Sequence, residues 1–424
     1  MRLAAPAGDA RIDPDSVDMI DPTWQSEGDP HAVWHSMRRY DPVHWQRVDG
    51  DLGFWSITKF DDAERVLREH ASFTSERGTL LTLLGQDDPA GGKQMAATDP
   101  PRHTRMREPL QRALTAKSVE QYRGRVRQAV RMVLAPGAGG EPFDFAQAMV
   151  KLPMAVTGTM MGLPERDWPE LAQLTMAAVA PDDPHYMSEP TPQATLDNAH
   201  RQLFGYFQDT VLQRRGRLSD DLISTLLTMQ VDERELGIGE VLSNCYSLLL
   251  GANVTTPFVP AAVLLKLAEE PVLARDWAAD PGLMSTAIPE ALRWASPANH
   301  FMRYAVHDVR VRDADIRAGD AVVVWLGSAN RDEEVYTEPF TFDLRRRFNR
   351  HLAFGVGAHY CIGHTVARLT LHELFEELLS NYADFELTGE PEHLLSNFVA
   401  GMKHLPLRMR PLATAARAGT AAGR

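Results

Sequence analysis

Apolar residues recur every three to four positions over most of this chain, the spacing of one buried helix face, and alternate with polar residues in only a few short stretches. The segments VHWQRV and LGFWSIT flank Asp49-Gly50-Asp51 and predict a hairpin over residues 42–58. Asp61 and Asp62, just ahead of AERVLREH, predict a helix N-cap. Over residues 75–99 the periodicity fades among Gly and Pro, which predicts a long mobile loop. A helical pattern dense in arginine resumes over 101–135, and mixed helices follow to about Leu267, interrupted at AVAPDDPHYMSEPTP. A helix over 285–294 precedes a strand-rich patch at 303–325, an irregular loop at 331–361 and an amphipathic helix over 363–381, with Leu369, His372, Phe375 and Leu379 on one stripe. No repeat or low-complexity linker divides the chain. The expectation is a mainly α protein with small β-sheets: a leader and first helix at 1–41, one large domain at 42–412, and a disordered tail at 413–424.

The most apolar long window, 241–268, is interrupted by Asn244, Asn253, Thr255, Thr256, Pro257, Pro260 and Lys266. That falls short of the roughly 20 uninterrupted apolar residues of a membrane span. It predicts a buried helix, and with no apolar run after Arg2 the expected address is the cytoplasm, without membrane contact. The 44 Lys and Arg against 57 Asp and Glu leave a net charge of −13, which argues against nucleic acid as a partner. Only two cysteines, Cys245 and Cys361, occur in 424 residues, so a disulfide scaffold is excluded.

Cys361 carries the strongest local signal, in Phe354-Gly355-Val356-Gly357-Ala358-His359-Tyr360-Cys361-Ile362-Gly363 ahead of the amphipathic helix. A thiolate at a helix N-terminus is stabilised by free N–H groups, and the glycines at 355, 357 and 363 permit positive φ. Taken alone, the cysteine reads first as an inert buried thiol in a Gly-rich turn, the usual fate of a free cysteine. Grouped with His351, His359 and His364 it reads as a zinc site, although zinc favours paired cysteines.

The whole string resembles the haem-ligand loop of the cytochrome P450 family, F-G-x-G-x-H-x-C-x-G, and matches all six fixed positions. The resemblance implies haem b (iron protoporphyrin IX) as cofactor, Cys361 as proximal iron ligand, Phe354 shielding its sulfur and His359 facing a propionate. It also places Gly355 and Gly363 against the cofactor. Glu290-Ala291-Leu292-Arg293 resembles the family's E-x-x-R helix, with Arg345, Arg346, Arg347 and Arg350 as candidates for the third member. His103 and Arg107, i and i+4 on one helix face, and Arg303 resemble the family's propionate ligands. The likeness runs over about 42–406 and implies a haem-thiolate monooxygenase using O2; a zinc hydrolase and a non-catalytic haem sensor are the competing classes.

Leu248-Leu249-Leu250-Gly251-Ala252-Asn253-Val254-Thr255-Thr256 resembles the family's distal helix, where an acid precedes the threonine. Here Val254 takes the acid's place. Thr255 is the expected proton relay, with Asn253 and Thr256 beside it and Ala252 against the haem. Either Thr255 with water, Asn253 or a substrate hydroxyl supports ordinary hydroxylation, or slow proton delivery favours C–C or C–N coupling, ring closure or desaturation. The resemblance places Leu83, Leu84, Leu249, Val254, Asn299, His300, Phe301, Phe398 and Val399 around a medium-sized, largely apolar substrate such as a natural-product intermediate. Arg102, Arg105, Arg107 and Arg112, with the arginines at 345–350, suit the docking of an acidic ferredoxin.

Overall fold

The two alternating segments form antiparallel strands β1 (Val43–Asp49) and β2 (Leu52–Ile57), with Trp45 opposite Trp55. The computed structural model describes residues 5, 6, 8 and 10–412, so the expected tail lies outside the described residues. Strand β2 pairs in parallel with the strand Ala321–Trp325, which pairs antiparallel with His300–Ala305, and that strand with β3 (Phe73–Thr74). Ala321–Trp325 is buried along its whole length, which is why AVVVW runs apolar without alternation.

Helices α1 (Pro22–Glu27) and α2 (Pro30–Tyr40) each open on an Asp N-cap followed by Pro. They press Trp34 and Met37 into one cluster with Phe54 and Trp325, so the segment expected as a leader packs into the fold. Helix α3 (Phe60–Arg68) corrects the expected cap. Lys59 is its N-cap residue and its side chain does not cap the helix; the Asp332 carboxylate accepts the Phe60 N–H at 2.9 Å instead. Asp61 and Asp62 occupy the first turn, where they complement the helix dipole.

The arginine-rich stretch is three helices, α4 (Arg102–Ala113), α5 (Ala116–Glu120) and α6 (Arg123–Leu134). Then come α7 (Phe145–Met160), α8 (Trp168–Ala177), the long α9 (Pro192–Arg215) and α10 (Leu222–Thr228). The apolar window divides into α11 (Ile238–Asn253) and α12 (Phe258–Glu269). By length and composition the run Ile238–Glu269 could cross a membrane, yet Val241, Cys245, Leu249, Val263 and Leu267 lie in the main core. The break falls at Pro257, which has no N–H to donate and disfavours helix in the residue before it. Helices α13 (Pro271–Ala279), α14 (Met284–Ala295), α15 (Leu326–Ala329) and α16 (His364–Asn381) complete the helical part. Helix α16 buries Leu374, Phe375 and Leu378 in the main core, while His372 is only partly buried.

Candidate active site

Glu290 and Arg293 share a face of α14 and are fully buried. Arg293 donates from Nε and Nη2 to the Glu290 carboxylate at 2.7 and 2.8 Å, and from Nη1 to the Asn330 and Pro339 carbonyls. Of the four arginines expected to complete the pair, Arg346 does so, with Nε 3.1 Å from both carboxylate oxygens. Arg350 turns to Glu64, while Arg345 and Arg347 are exposed. The Asp343 N–H and Asn349 Nδ2 donate to the same carboxylate. Burial pushes the Glu290 pKa up, but the hydrogen bond and charge of Arg293 overcome it, so Glu290 stays ionised below the ordinary carboxylate range.

This network anchors the loop that runs to α16. Its residues 354–361 fold back on themselves, with the Cys361 N–H donating to the Phe354 carbonyl at 2.8 Å. Gly355 and Gly357 adopt φ of 65° and 72°. A Cβ on Gly357 would stand 3.0 Å from the Arg68 Cα, so α3 approaches the loop only over glycine. Gly363 does not use the freedom expected of it, with φ −83° as the N-cap of α16. The Cys361 thiol also departs from expectation. Burial raises its pKa, outweighing the Gly363 N–H, Arg107 and Arg368. The helix terminus alone does not hold a thiolate here; a metal ion bonded to the sulfur would.

Cys361 lines a cavity of about 840 Å³ together with Phe354, Gly355, His359, Gly363, His103, Arg107 and Arg303. Arg368 lies 4.9 Å over the Phe354 ring. His103 is buried and, among the described residues, neither ring nitrogen has a hydrogen-bond partner; burial, then the Arg107 charge, lowers its pKa to about 4. The His359 ring lies 4.4 Å from that of His103, with Nε2 3.2 Å from the Ser75 hydroxyl; burial, then Arg303, lowers its pKa to about 2. Burial also lowers the Arg303 pKa to about 10, and its Nη1 donates to the Met302 carbonyl at 2.8 Å. Arg107 Nη2 donates to the Tyr360 carbonyl at 2.5 Å.

An unpartnered buried imidazole and a buried guanidinium with spare donors call for anionic oxygens, and the thiol beside them for a metal. That donor set fits iron protoporphyrin IX, with propionates against His103, Arg107, Arg303 and His359 and the iron on Cys361. It does not fit zinc. Among the described residues the one cluster of metal-ligating type is His372, Glu373 and Glu376, and there Arg123 and Arg127 already pair with the carboxylates. His351, His359, Cys361 and His364 do not converge as a ligand set.

On the opposite wall Ala252, Val254, Thr255 and Thr256 line the cavity at the end of α11, and the Thr255 hydroxyl donates to the Gly251 carbonyl at 3.3 Å. Leu83, Phe301 and Phe398 line it as well. Six expected wall or relay residues do not. Asn253 is buried with Nδ2 turned back to the Leu249 carbonyl, and Leu249 belongs to the core. Leu84 packs on the Trp34 cluster. Asn299 donates to the Asn397 carbonyl, His300 accepts the Leu81 N–H at 3.1 Å, and Val399 bridges to Ala298. Among the cavity residues missed in the sequence are His200, Phe204 and Tyr246. The signal was present on α9, where Gln193, Asp197, His200 and Phe204 recur at helical spacing and all line the cavity.

The comparisons agree along the chain. The Cytochrome P450 family profile matches residues 282–407. Cytochrome P450 NovI of Streptomyces niveus is 31% identical over 398 residues, covering 93% of this chain and 97% of NovI. P450 OxyD, involved in the biosynthesis of vancomycin-type antibiotics, matches with a TM-score of 0.83 at 32% identity, over 93% of this chain and 100% of its own. Mycobacterium marinum CYP268A2, solved in complex with pseudoionone, matches with a TM-score of 0.85 at 29% identity, over 94% and 100%. This chain belongs to the cytochrome P450 family and is a haem-dependent monooxygenase.

Proposed function

We propose that this cytochrome P450 oxidises a medium-sized, largely apolar natural-product intermediate in the cytoplasm, with electrons from a ferredoxin-type donor. The observation that carries the reading is one cavity reaching from Cys361 past the end of α11 to α9, walled by Leu80, Leu83, Leu250, Phe301 and Phe398. The involvement of OxyD in antibiotic biosynthesis supports a natural product as substrate. Burial of Val241, Cys245, Leu249, Val263 and Leu267 in the core supports a helix pair that packs inside the fold and does not span a membrane.

Haem, when bound, supplies the activation of O2, with one oxygen atom passing to substrate and the other leaving as water. Cys361 would hold the iron, with Phe354 and the overlying Arg368 keeping water from the sulfur. His103, Arg107, Arg303 and His359 would hold the propionates. The Thr255 hydroxyl donates its hydrogen bond to the Gly251 carbonyl, which leaves its oxygen able to accept from a water or substrate hydroxyl in the cavity. Val254 is buried against the same space and offers no proton.

Val254 also favours the second reading, in which slow proton delivery diverts chemistry to coupling, ring closure or desaturation. Val254→Asp tests it by product analysis and peroxide yield. A shift toward hydroxylated product supports a role for the missing acid, and unchanged product, coupling and turnover remove that role.

The donor is expected at Arg345, Arg347 and Phe348, all exposed. On α4, Arg102, Arg105 and Arg112 are neutralised within the chain by Glu240, Asp232 and Glu108, which narrows the expected docking surface to the loop ahead of Phe354. A rate of reduction that falls steeply with salt supports this docking, and a salt-independent rate removes it.

A further inference from the structure

Two stretches of the cavity wall that stand far apart in the sequence meet in the fold. Val179 and Asp182, from the loop between α8 and α9, line the cavity, and so do Ser396 and Phe398. The second stretch lies between the strands Glu392–His393 and Met402–His404, which pair antiparallel. On one side its backbone is bonded to the segment after α14. The Asn299 N–H donates to the Phe398 carbonyl at 2.7 Å and the Ala400 N–H to the Pro297 carbonyl at 2.9 Å. On the other side its bonds to the loop after α8 run through side chains.

Asp183 is central to them. Its side chain is fully buried yet does not line the cavity. One carboxylate oxygen accepts the Leu395 N–H at 2.9 Å, and the other accepts the His185 N–H at 2.9 Å and Lys403 Nζ at 3.2 Å. Beside it the Ser396 hydroxyl donates to the Val179 carbonyl at 2.6 Å and accepts the Phe398 and Val399 N–H groups at 3.3 and 3.1 Å. A carboxylate is costly to bury unless it is paired and hydrogen-bonded, and this one draws its donors from both stretches of wall. It has no place in the chemistry at Cys361 or Thr255. What it holds is the separation of Val179 from Phe398, whose ring centroid lies 6.0 Å from that of Phe301 on the same wall.

We propose that Asp183 is a specificity-determining positioning residue. By joining the loop after α8 to the stretch at 394–398 it sets the width of the cavity between Val179 and Phe398, and so which apolar substrates fit there. Asp183 acts through Phe398 without touching substrate, and this role rests on the cytochrome P450 reading of the site.

Optical titration of the haem-loaded protein with imidazole and N-decylimidazole tests the role. Both bind through the same kind of ring nitrogen, and only the second reaches the apolar walls with its alkyl chain. The unaltered protein is expected to bind N-decylimidazole roughly 100-fold more tightly than imidazole. In Asp183→Ala that preference should fall about 10-fold while imidazole binding stays within about twofold. Asp183→Asn keeps an oxygen for the Leu395 N–H, should lose about threefold in the same direction, and serves should Asp183→Ala not fold. A general loss of stability would move both ligands together, whereas a displaced wall moves only the longer one. An unchanged or increased preference in every variant that folds overturns the proposal, as does an equal loss of both ligands or no preference in the unaltered protein. A thiolate-type reduced-CO band recorded on each sample separates the two readings. Its presence with an unchanged preference overturns the role of Asp183 alone, and its absence in the unaltered protein overturns the cytochrome P450 reading.

Discussion

Glu290 is buried and takes hydrogen bonds from Arg293 and from the loop leading to Cys361, and that loop holds two glycines at positive φ. The facing wall is built differently: α11 stops at Asn253, α9 brings polar side chains to the cavity, and few bonds tie the two together. The first region needs fixed residues at fixed spacing, because a carboxylate that takes five donor atoms tolerates no shift of register. The second needs only a shape, which many side chains can supply. One region therefore identifies the family, and the other adapts the individual enzyme to its substrate.

Substitutions separate the two regions by size of effect. Glu290→Ala leaves Arg293 buried without its carboxylate and is expected to cost about 3–5 kcal/mol in urea unfolding, the largest single loss. Leu249→Ala is expected to cost about 2–5 kcal/mol while turnover per folded haem holds. A loss of turnover without loss of stability would instead return Leu249 to the substrate wall. His300→Leu removes the acceptor of the buried Leu81 N–H and is expected to cost about 1–3 kcal/mol.

The same histidine gives a pH signature. Burial lowers its pKa from 6.5 to about 3, so the unfolded chain takes up this proton well before the folded one. Its contribution is complete above about pH 6.5 and drains away as pH falls toward 3. The acid limb of unfolding should flatten in His300→Leu. The smallest stability effect is expected at Phe348, which is 96% exposed with φ 54°: Phe348→Ser should change stability by under about 0.5 kcal/mol yet slow reduction by the donor. Unchanged reduction would remove Phe348 from the docking surface.

The legibility of the sequence follows the same division. The hairpin, the helices α14 and α16 and the ligand loop were all readable, because turn chemistry, period and a six-position motif each specify local geometry. The failures come in neighbouring residues. Phe301 lines the cavity while His300 does not, and Phe398 lines it while Val399 does not, since successive side chains of extended chain point to opposite faces. On α11, Leu248, Leu250 and Val254 face the cavity whereas Leu249 and Asn253 turn to the core. Which of two adjacent residues points inward is decided by how distant elements pack, and a resemblance places both alike. Tyr246 and His200 escaped notice for the same reason, as their meeting depends on how α9 crosses α11.

Cys361 would supply a thiolate to haem iron at the floor of this cavity. The reduced-CO absorption spectrum of the haem-loaded protein, recorded beside that of Cys361→Ser, tests it most directly. The unaltered chain is expected to show a thiolate-type Soret band, and Cys361→Ser, folded by circular dichroism, to lose it. An unaltered protein that binds haem without that band, or a Cys361→Ser variant that keeps it, would contradict the account.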